Sequence, residues 1–294
     1  MGTNTRVGAR RTKNSKLKVL YSEILGQAWL VHGFSTRLGG CSSVYGGSSL
    51  NLGFTKDDAR AHVERNRQAF LRALGADPHA WRLITQRQIH SDLIHCVTDA
   101  DAHPTGDGLL TESPGLLLGV QTADCLPVLL VDARRHAVGA FHAGWRGTLR
   151  RIVEKGVGEM RRHFGSLPGD LRAAIGPGIH SCCYQVGEEV RDKFHSQFAY
   201  AADLFREVRE SNPVHEKYPL LFLTARAPGH GPEEILLYLD LVAANTRQLL
   251  AAGVPAAQIS ASPLCTSCRS DLLFSYRDEK GVAGRMLAVV GIRP

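Results

Sequence analysis

Nowhere in the 294 residues do 18 apolar side chains run together, so the sequence offers no membrane-spanning helix. Its first 18 residues hold no acidic side chain and few apolar ones, and so lack the apolar core of a secretory signal. The glycine-rich stretch has neither the Gly-Lys-Ser/Thr ending of a phosphate-cradling loop nor the spacing of a dinucleotide fingerprint. A disulfide framework is excluded too. The seven cysteines are an odd number spread over a long chain, and adjacent Cys182 and Cys183 cannot readily bridge each other without strain. This is thiol usage of a reducing compartment, and we read a soluble, cytoplasmic protein with no membrane partner.

The net charge of +7 is unevenly placed. Arg6, Arg10, Arg11, Lys13, Lys16 and Lys18 account for six of it, so residues 1–18 read as a basic, disordered tail. The remaining body is close to neutral, which gives no support to a nucleic-acid partner. At 44% hydrophobic and 21% charged it has ordinary globular composition, and no linker or repeat divides it. Residues 19–294 are therefore expected to form a single domain.

Short apolar runs bounded by turn residues predict strands at Val19–Tyr21, Leu30–Ser35, Leu83–Thr85, Ile94–Thr98, Leu116–Thr122, Pro127–Val131, Ala137–His142, Ala173–Ile175 and Met286–Ile292. Helical spacing begins after Asp57-Asp58, with Val63, Phe70, Leu71 and Leu74 on one face and Gly75 as a stop. Further helices are expected over Gly147–Phe164, Glu188–Phe198 and Ile235–Ala252. Strands come in adjacent pairs as often as they alternate with helices. The fold class is thus α/β in the α+β sense, a mixed β-sheet flanked by helices rather than a parallel doubly wound sheet.

Two features invite chemistry. The stretch from Leu38 to Gly53 has five glycines and four serines, which reads as a functional loop or a flexible linker. Arg37 at its entrance and Asn51 at its exit suit an anion or a sugar hydroxyl. The second feature is a hairpin. Cys125 precedes one apolar run and His142 ends the next, so antiparallel pairing across the polar turn from Asp132 to His136 brings thiol and imidazole together. They are either a buried cysteine beside a satisfied histidine or part of a site.

His90, at the end of another apolar stretch, would complete a His–Cys–His set suited to Zn²⁺, with a fourth position left for water whose pKa would fall towards ~7. Asp124, next to Cys125, is either a general base or a strand-end cap. Cys265 and Cys268 form a lone Cys-x-x-Cys with no partner pair, which supports structural thiols rather than a zinc ribbon or redox centre. His32 and His95 lie in apolar runs and read as core or edge histidines.

Several segments occur in an order that points further: "HGFSTRLGG", "SLNLG", "QIHSD", "DGLLT", "GVQTADCLPVLLVD", "AFHAGWRGT", "AIGPGI…CCYQVGEEV", "LDLVAANTRQL" and "FSYR". Together they closely resemble the YfiH/YlmD-like family of purine nucleoside phosphorylases, earlier named multicopper polyphenol oxidoreductases or laccases. The resemblance spans roughly residues 30–292. It implies His90, Cys125 and His142 as metal ligands, with zinc usual and copper reported, and it places Arg37 in the nucleoside pocket region. It also implies an α/β sandwich likened to cysteine hydrolases such as the cytotoxic necrotizing factor catalytic domain. The implied reactions are phosphorolysis of adenosine, inosine, guanosine and methylthioadenosine, and adenosine deamination in the same pocket. Cys268, an additional thiol after Cys265-Thr266, departs from the pattern and receives no role.

Chemistry sorts the implied activities. The sequence has no His-x-His pair, and thirteen scattered histidines are a poor way to build several copper sites, which counts against laccase chemistry. Deamination would pair the metal set with a proton-shuttling carboxylate such as Asp124. Phosphorolysis needs cations to hold phosphate, and Arg37 and Arg146 are the expected pair. The alternative that uses the same thiol without metal is a Cys–His hydrolase, with Cys125 as nucleophile activated by His142, near a peptidoglycan-editing role suggested for bacterial relatives.

Overall fold

The computed structural model describes residues 16–98, 103–209 and 235–294. The basic tail expected over residues 1–18 therefore lies outside the described residues except for its last three. No helix among the described residues is long and apolar enough to cross a membrane.

Two sheets packed face to face dominate the structure. The first runs in the order β1 (Val19–Leu20), β2 (Leu30–Ser35), β15 (Met286–Ile292), β7 (Leu116–Thr122) and β4 (Arg82–Thr85). The second runs β14 (Ile259–Ala261), β10 (Leu171–Ile175), β8 (Leu126–Asp132), β9 (Ala137–Ala143), β6 (Gly108–Thr111) and β5 (Ile94–Cys96). Both are mixed: β4 runs parallel to β7, and β5 to β6, while β8 and β9 are antiparallel.

Apolar patterning explains the layers. Every residue of β8 and β9 is buried, because each strand is covered on both faces. Leu129 and Val131 face the other sheet with Val138, Ala140, Val120 and Val290. Leu126, Val128 and Leu130 face outward onto α3 (Ile152–Phe164) and α5 (Leu241–Ala251). On the far side, α1 (Arg60–Ala73) sets Phe70 and Leu71 against Val31, Leu117 and Val289. The result is a helix–sheet–sheet–helix sandwich; mixed sheets flanked by helices were expected from the strand pattern, and a sandwich from the family resemblance. A small third sheet of β11 (Gln185–Val186), β13 (Ile235–Leu239) and β12 (Phe205–Arg209) adjoins α4 (Glu188–Gln197).

Two expected helices are corrected. Ile235–Leu239 is a strand, and the helix begins only after Asp240, whose carboxylate accepts the Ala243 amide at 2.8 Å as an N-cap. A short apolar run does not distinguish strand from helix by periodicity alone. The helix expected over Gly147–Phe164 is broken into α2 (Trp145–Leu149) and α3, with Arg151 at φ 63° between them. At the break, Gln248 of α5 donates to the Thr148 carbonyl at 2.7 Å, an acceptor that a continuous helix would use itself. The glycine-rich stretch is also ordered. It contains β3 (Leu38–Ser42), and buried Asn66 of α1 donates to Ser42, Ser49 and Asn51 and accepts from the Cys41 amide.

The contact of α3 with β9 bears directly on His142. A Cβ on Gly156 would stand 2.5 Å from Cε1 and Cζ of Phe141, the residue before His142. Gly156→Ala should therefore cost about 1–3 kcal/mol by overpacking, despite alanine's better helix propensity. Urea unfolding checks this, and a stabilised variant would contradict the packing described.

Candidate metal centre and its cavity

The register of the second sheet assembles the site at one end. Leu126 pairs with Ala143 and Pro127 with His142, so Cys125 and His142 meet at the open end of the β8–β9 hairpin, as the sequence pattern requires. Gly108 pairs with Phe141, which brings the residue before β6, Asp107, beside His142. Ile94 pairs with Gly108, and the loop leading into β5 carries His90 to the same place. His90 adopts φ 58°, a left-handed conformation uncommon for a non-glycine residue, and its amide is held 3.1 Å from Asp107 Oδ1.

Asp107 was not singled out in the sequence, and it organises the centre. It is fully buried and accepts from five donors. These are the amides of Ile89, His90 and Ser91, the Ser91 hydroxyl, and His142 Nδ1 at 2.8 Å. Burial disfavours its ionised form, but the bonds from His142 and Ser91 outweigh that and pull its pKa down to about 2. Because a carboxylate only accepts, the Nδ1 hydrogen of His142 is committed to it and Nε2 is left to face the thiol.

Cys125 is half-buried, with its sulfur 3.8 Å from His90 Nε2. Burial opposes ionisation of this thiol, but the His142 charge and hydrogen bonds from both histidines prevail and lower its pKa to about 6. Burial likewise opposes the charged form of His142, while the Cys125 thiolate and Asp107 raise its pKa to about 9. Both shifts favour a thiolate beside an imidazolium where the pair holds no metal.

The donor set fits a metal ion. The ligand atoms of His90, Cys125 and His142 all lie within 4.8 Å of one another. Tetrahedral zinc with ordinary Zn–N and Zn–S lengths would separate nitrogen and sulfur ligands by about 3.5 Å, close to the distance seen. Gly144 keeps the place open: a Cβ there would approach Cys125 Sγ to 2.8 Å and His90 Cδ2 to 3.1 Å. Among the described residues this is the one candidate metal cluster that contains histidine. A blue copper site with a trinuclear cluster needs several.

The centre forms part of the wall of a cavity of about 650 Å³, within the usual range for small-molecule sites. Arg87, Arg146, Arg277 and Arg285 line it with Trp145, Tyr184 and Tyr276. Arg146 stacks 5.0 Å from the Trp145 ring and forms no ion pair among the described residues. Gln86 lines the same space, buried, with both amide atoms lacking a partner among the described residues. The cations Arg87, Arg277 and Arg285 escaped the sequence reading. Arg277 closes the "FSYR" segment, yet nothing local marks it as facing a cavity.

The other expected residues are placed differently. Arg37 does not line the cavity. Its guanidinium donates to the Ser270 and Tyr45 carbonyls, pairs with Glu279 at 3.0 Å, and stacks 4.7 Å from Phe274. Buried Asn51 does not line it either; it accepts from the Arg285 amide and donates to Asp58 and Gly53. Both brace the segment that carries Tyr276, Arg277 and Arg285. Asp124 lines the cavity at φ 90°, but both carboxylate oxygens are taken, one by Thr266 Oγ1 at 2.6 Å and one by the Arg277 amide at 2.7 Å. Such a carboxylate braces rather than shuttles. His32 and His95 have structural partners at Ser22 and Thr105.

A family model described as multi-copper polyphenol oxidoreductase laccase matches residues 31–293. Purine nucleoside phosphorylase YlmD of Geobacillus stearothermophilus is 35% identical over 286 residues, covering 91% of this chain and 95% of that protein. Adenosine deaminase RL5, from an unknown prokaryotic organism, is 34% identical, covering 84% and 88%. The crystal structure of Bacillus licheniformis hypothetical protein YfiH superposes with a TM-score of 0.75 at 36% identity, covering 90% of this chain and 93% of that one.

Two substitutions test the assignments made from geometry. Asp107→Asn puts an amide NH₂ against donors that now face a carboxylate, and should weaken metal binding roughly 10- to 100-fold, read by chelator competition on folded protein. Unchanged affinity would remove Asp107 from the centre. Arg37→Ala should lower stability by about 2–4 kcal/mol, because it strands Glu279 and two carbonyls in a largely buried place. Denaturant unfolding decides, and a neutral result would return Arg37 to a binding role.

Proposed function

The chain belongs to the YfiH/YlmD-like family, and from that premise we propose that it is a metal-dependent purine nucleoside phosphorylase that also deaminates adenosine. The observation that carries this reading is the pairing of one His–Cys–His centre with four arginines around a nucleoside-sized cavity. Zinc, or copper in its place, held by His90, Cys125 and His142 would supply a Lewis acid at the cavity wall. Adenosine, inosine, guanosine and methylthioadenosine are the substrates inferred.

In phosphorolysis a phosphate oxygen bonds to C1′ of the ribose while the C1′–N9 bond breaks. The purine departs with the bonding pair and takes up a proton, leaving ribose 1-phosphate. Arg87, Arg146, Arg277 and Arg285 offer the charge-assisted hydrogen bonds that a phosphate dianion needs. Trp145, Tyr184 and Tyr276 offer ring faces to the base, and the unpartnered Gln86 amide offers one donor and one acceptor side to a purine edge or sugar hydroxyl. Deamination replaces the exocyclic amine at C6 by water oxygen and makes no use of a phosphate clamp.

A second reading has its own observation. Cys125, His142 and Asp107 stand in the order of nucleophile, base and orienting carboxylate, which is the constellation of a Cys–His hydrolase. A covalent adduct on Cys125 trapped by mass spectrometry would favour the hydrolase. Protection of Cys125 from alkylation by zinc, relieved by chelation, favours the ligand role.

Metal-defined protein should convert inosine with phosphate to hypoxanthine and ribose 1-phosphate, and adenosine without phosphate to inosine and ammonia. Failure of both conversions would overturn the proposal. Arg146→Ala should weaken inosine phosphorolysis roughly 10- to 150-fold, mainly through the phosphate KM, while deamination falls much less. Equal loss of both activities, or of neither, would remove Arg146 from the phosphate site.

A further inference from the structure

The four cysteines that the sequence left in two unrelated pairs meet in space. Cys182 and Cys183 follow β10, Cys265 and Cys268 follow β14, and β10 and β14 are parallel neighbours in the second sheet. Both segments leave the same end of the sheet together. The register continues past the strands as a bridge between Gly178 and Cys265 and a bond from the Thr266 amide to the Gly178 carbonyl. The four sulfurs therefore lie within 4.8 Å of one another, with Cys268 3.5 Å from Cys182 and 3.4 Å from Cys183.

We propose that Cys182, Cys183, Cys265 and Cys268 form a second metal site, a tetrathiolate that binds zinc and clips two loops behind the catalytic cavity. Sulfurs at the corners of a zinc tetrahedron stand about 3.8 Å apart, within the spread seen here. The Cys265 sulfur also accepts the His180 amide at 3.4 Å, the kind of surrounding bond that steadies a ligating thiolate. Cys182 and Cys268 are exposed, so an ion has a direct path in. A disulfide explains less. Cys268 stands at nearly equal distance from two thiols and can bond only one, which leaves the other thiol and the buried Cys265 outside that bond.

The position gives the clip its purpose. Thr266, inside the Cys265–Cys268 turn, holds Asp124 next to the ligand Cys125, and Tyr184, next to Cys183, lines the cavity. Metal binding would fix both walls from outside the reaction space. The site lies on different residues from the His–Cys–His centre, so it stands or falls independently of the proposed activity.

Elemental analysis of the full chain purified without chelator tests this. The wild-type protein should carry about two zinc ions, and Cys125→Ser, which breaks the first centre, should retain about one. Cobalt(II) loaded into Cys125→Ser should give an intense thiolate charge-transfer band, lost in Cys125→Ser combined with Cys268→Ser. If that double variant does not fold, alkylation of Cys125→Ser decides in its place, with Cys182, Cys183, Cys265 and Cys268 protected until chelator is added. Cys125→Ser protein with no bound metal and freely reacting thiols would overturn the proposal. So would an intact mass showing a disulfide to Cys268 in protein prepared under reducing conditions.

Discussion

The buried carboxylate of Asp107 is the constraint on which the rest of the centre depends. An ionised carboxylate at zero exposure survives only when its lone pairs are filled, and here three amides, a hydroxyl and an imidazole fill them. Meeting that demand dictates structure in two directions. It draws the backbone of residues 89–91 inward, which holds His90 in its left-handed conformation. It also fixes the ring of His142, which sets where the thiol of Cys125 meets a nitrogen. Two members of the His–Cys–His set are thus placed by one anion, and the third is brought in by hairpin register. The cost of burying Asp107 and the order of the centre are the same fact seen from two sides.

The same economy appears in the segment from Ser275 to Arg285. It carries Tyr276, Arg277 and Arg285 to the cavity, although much of it is irregular. Irregular backbone is held only where side chains take up its polar groups. Glu279 accepts the Ser275 amide and pairs with Arg37, Asn51 accepts the Arg285 amide, and Asp124 accepts the Arg277 amide. Arg37 and Asn51, which look like binding groups in the sequence, and Asp124, which looks like a general base, act here as supports for the residues that face the cavity. Polar side chains in an apolar neighbourhood announce that something polar must be satisfied. They do not announce whether it is a ligand or the chain itself.

That distinction marks how far the sequence could be read. The β8–β9 hairpin was legible because two fully apolar runs and a polar turn leave one pairing, and the pairing alone joins Cys125 to His142. Mixed sheets flanked by helices were legible from strand pairing and helical spacing, while the sandwich was implied only by the family resemblance. Ile235–Leu239 was not, since five apolar residues beside a helix carry no period of their own. Asp107 was hidden for a different reason. Its partners at residues 89–91 and 142 lie 16 to 35 positions away, and only the pairings of β6 with β5 and with β9 reveal them. Cys182-Cys183 and Cys265-x-x-Cys268 were hidden by the parallel pairing of β10 with β14, which no local pattern encodes.

Charge sets the character of the cavity. The carboxylate oxygens of Asp107 and Asp124 are taken up by their donors, those of Asp124 by the Thr266 hydroxyl and the Arg277 amide, so neither offers a free oxygen to the open space. Four arginines remain there, and Arg146 has a ring rather than a carboxylate beside it. Four guanidinium groups around one cavity concentrate positive charge, which favours a doubly charged oxyanion. A site built only to bring water to a neutral nucleoside would gain little from that charge. That charge belongs to residues outside the His–Cys–His set, and it is what use of phosphate needs and attack by water does not.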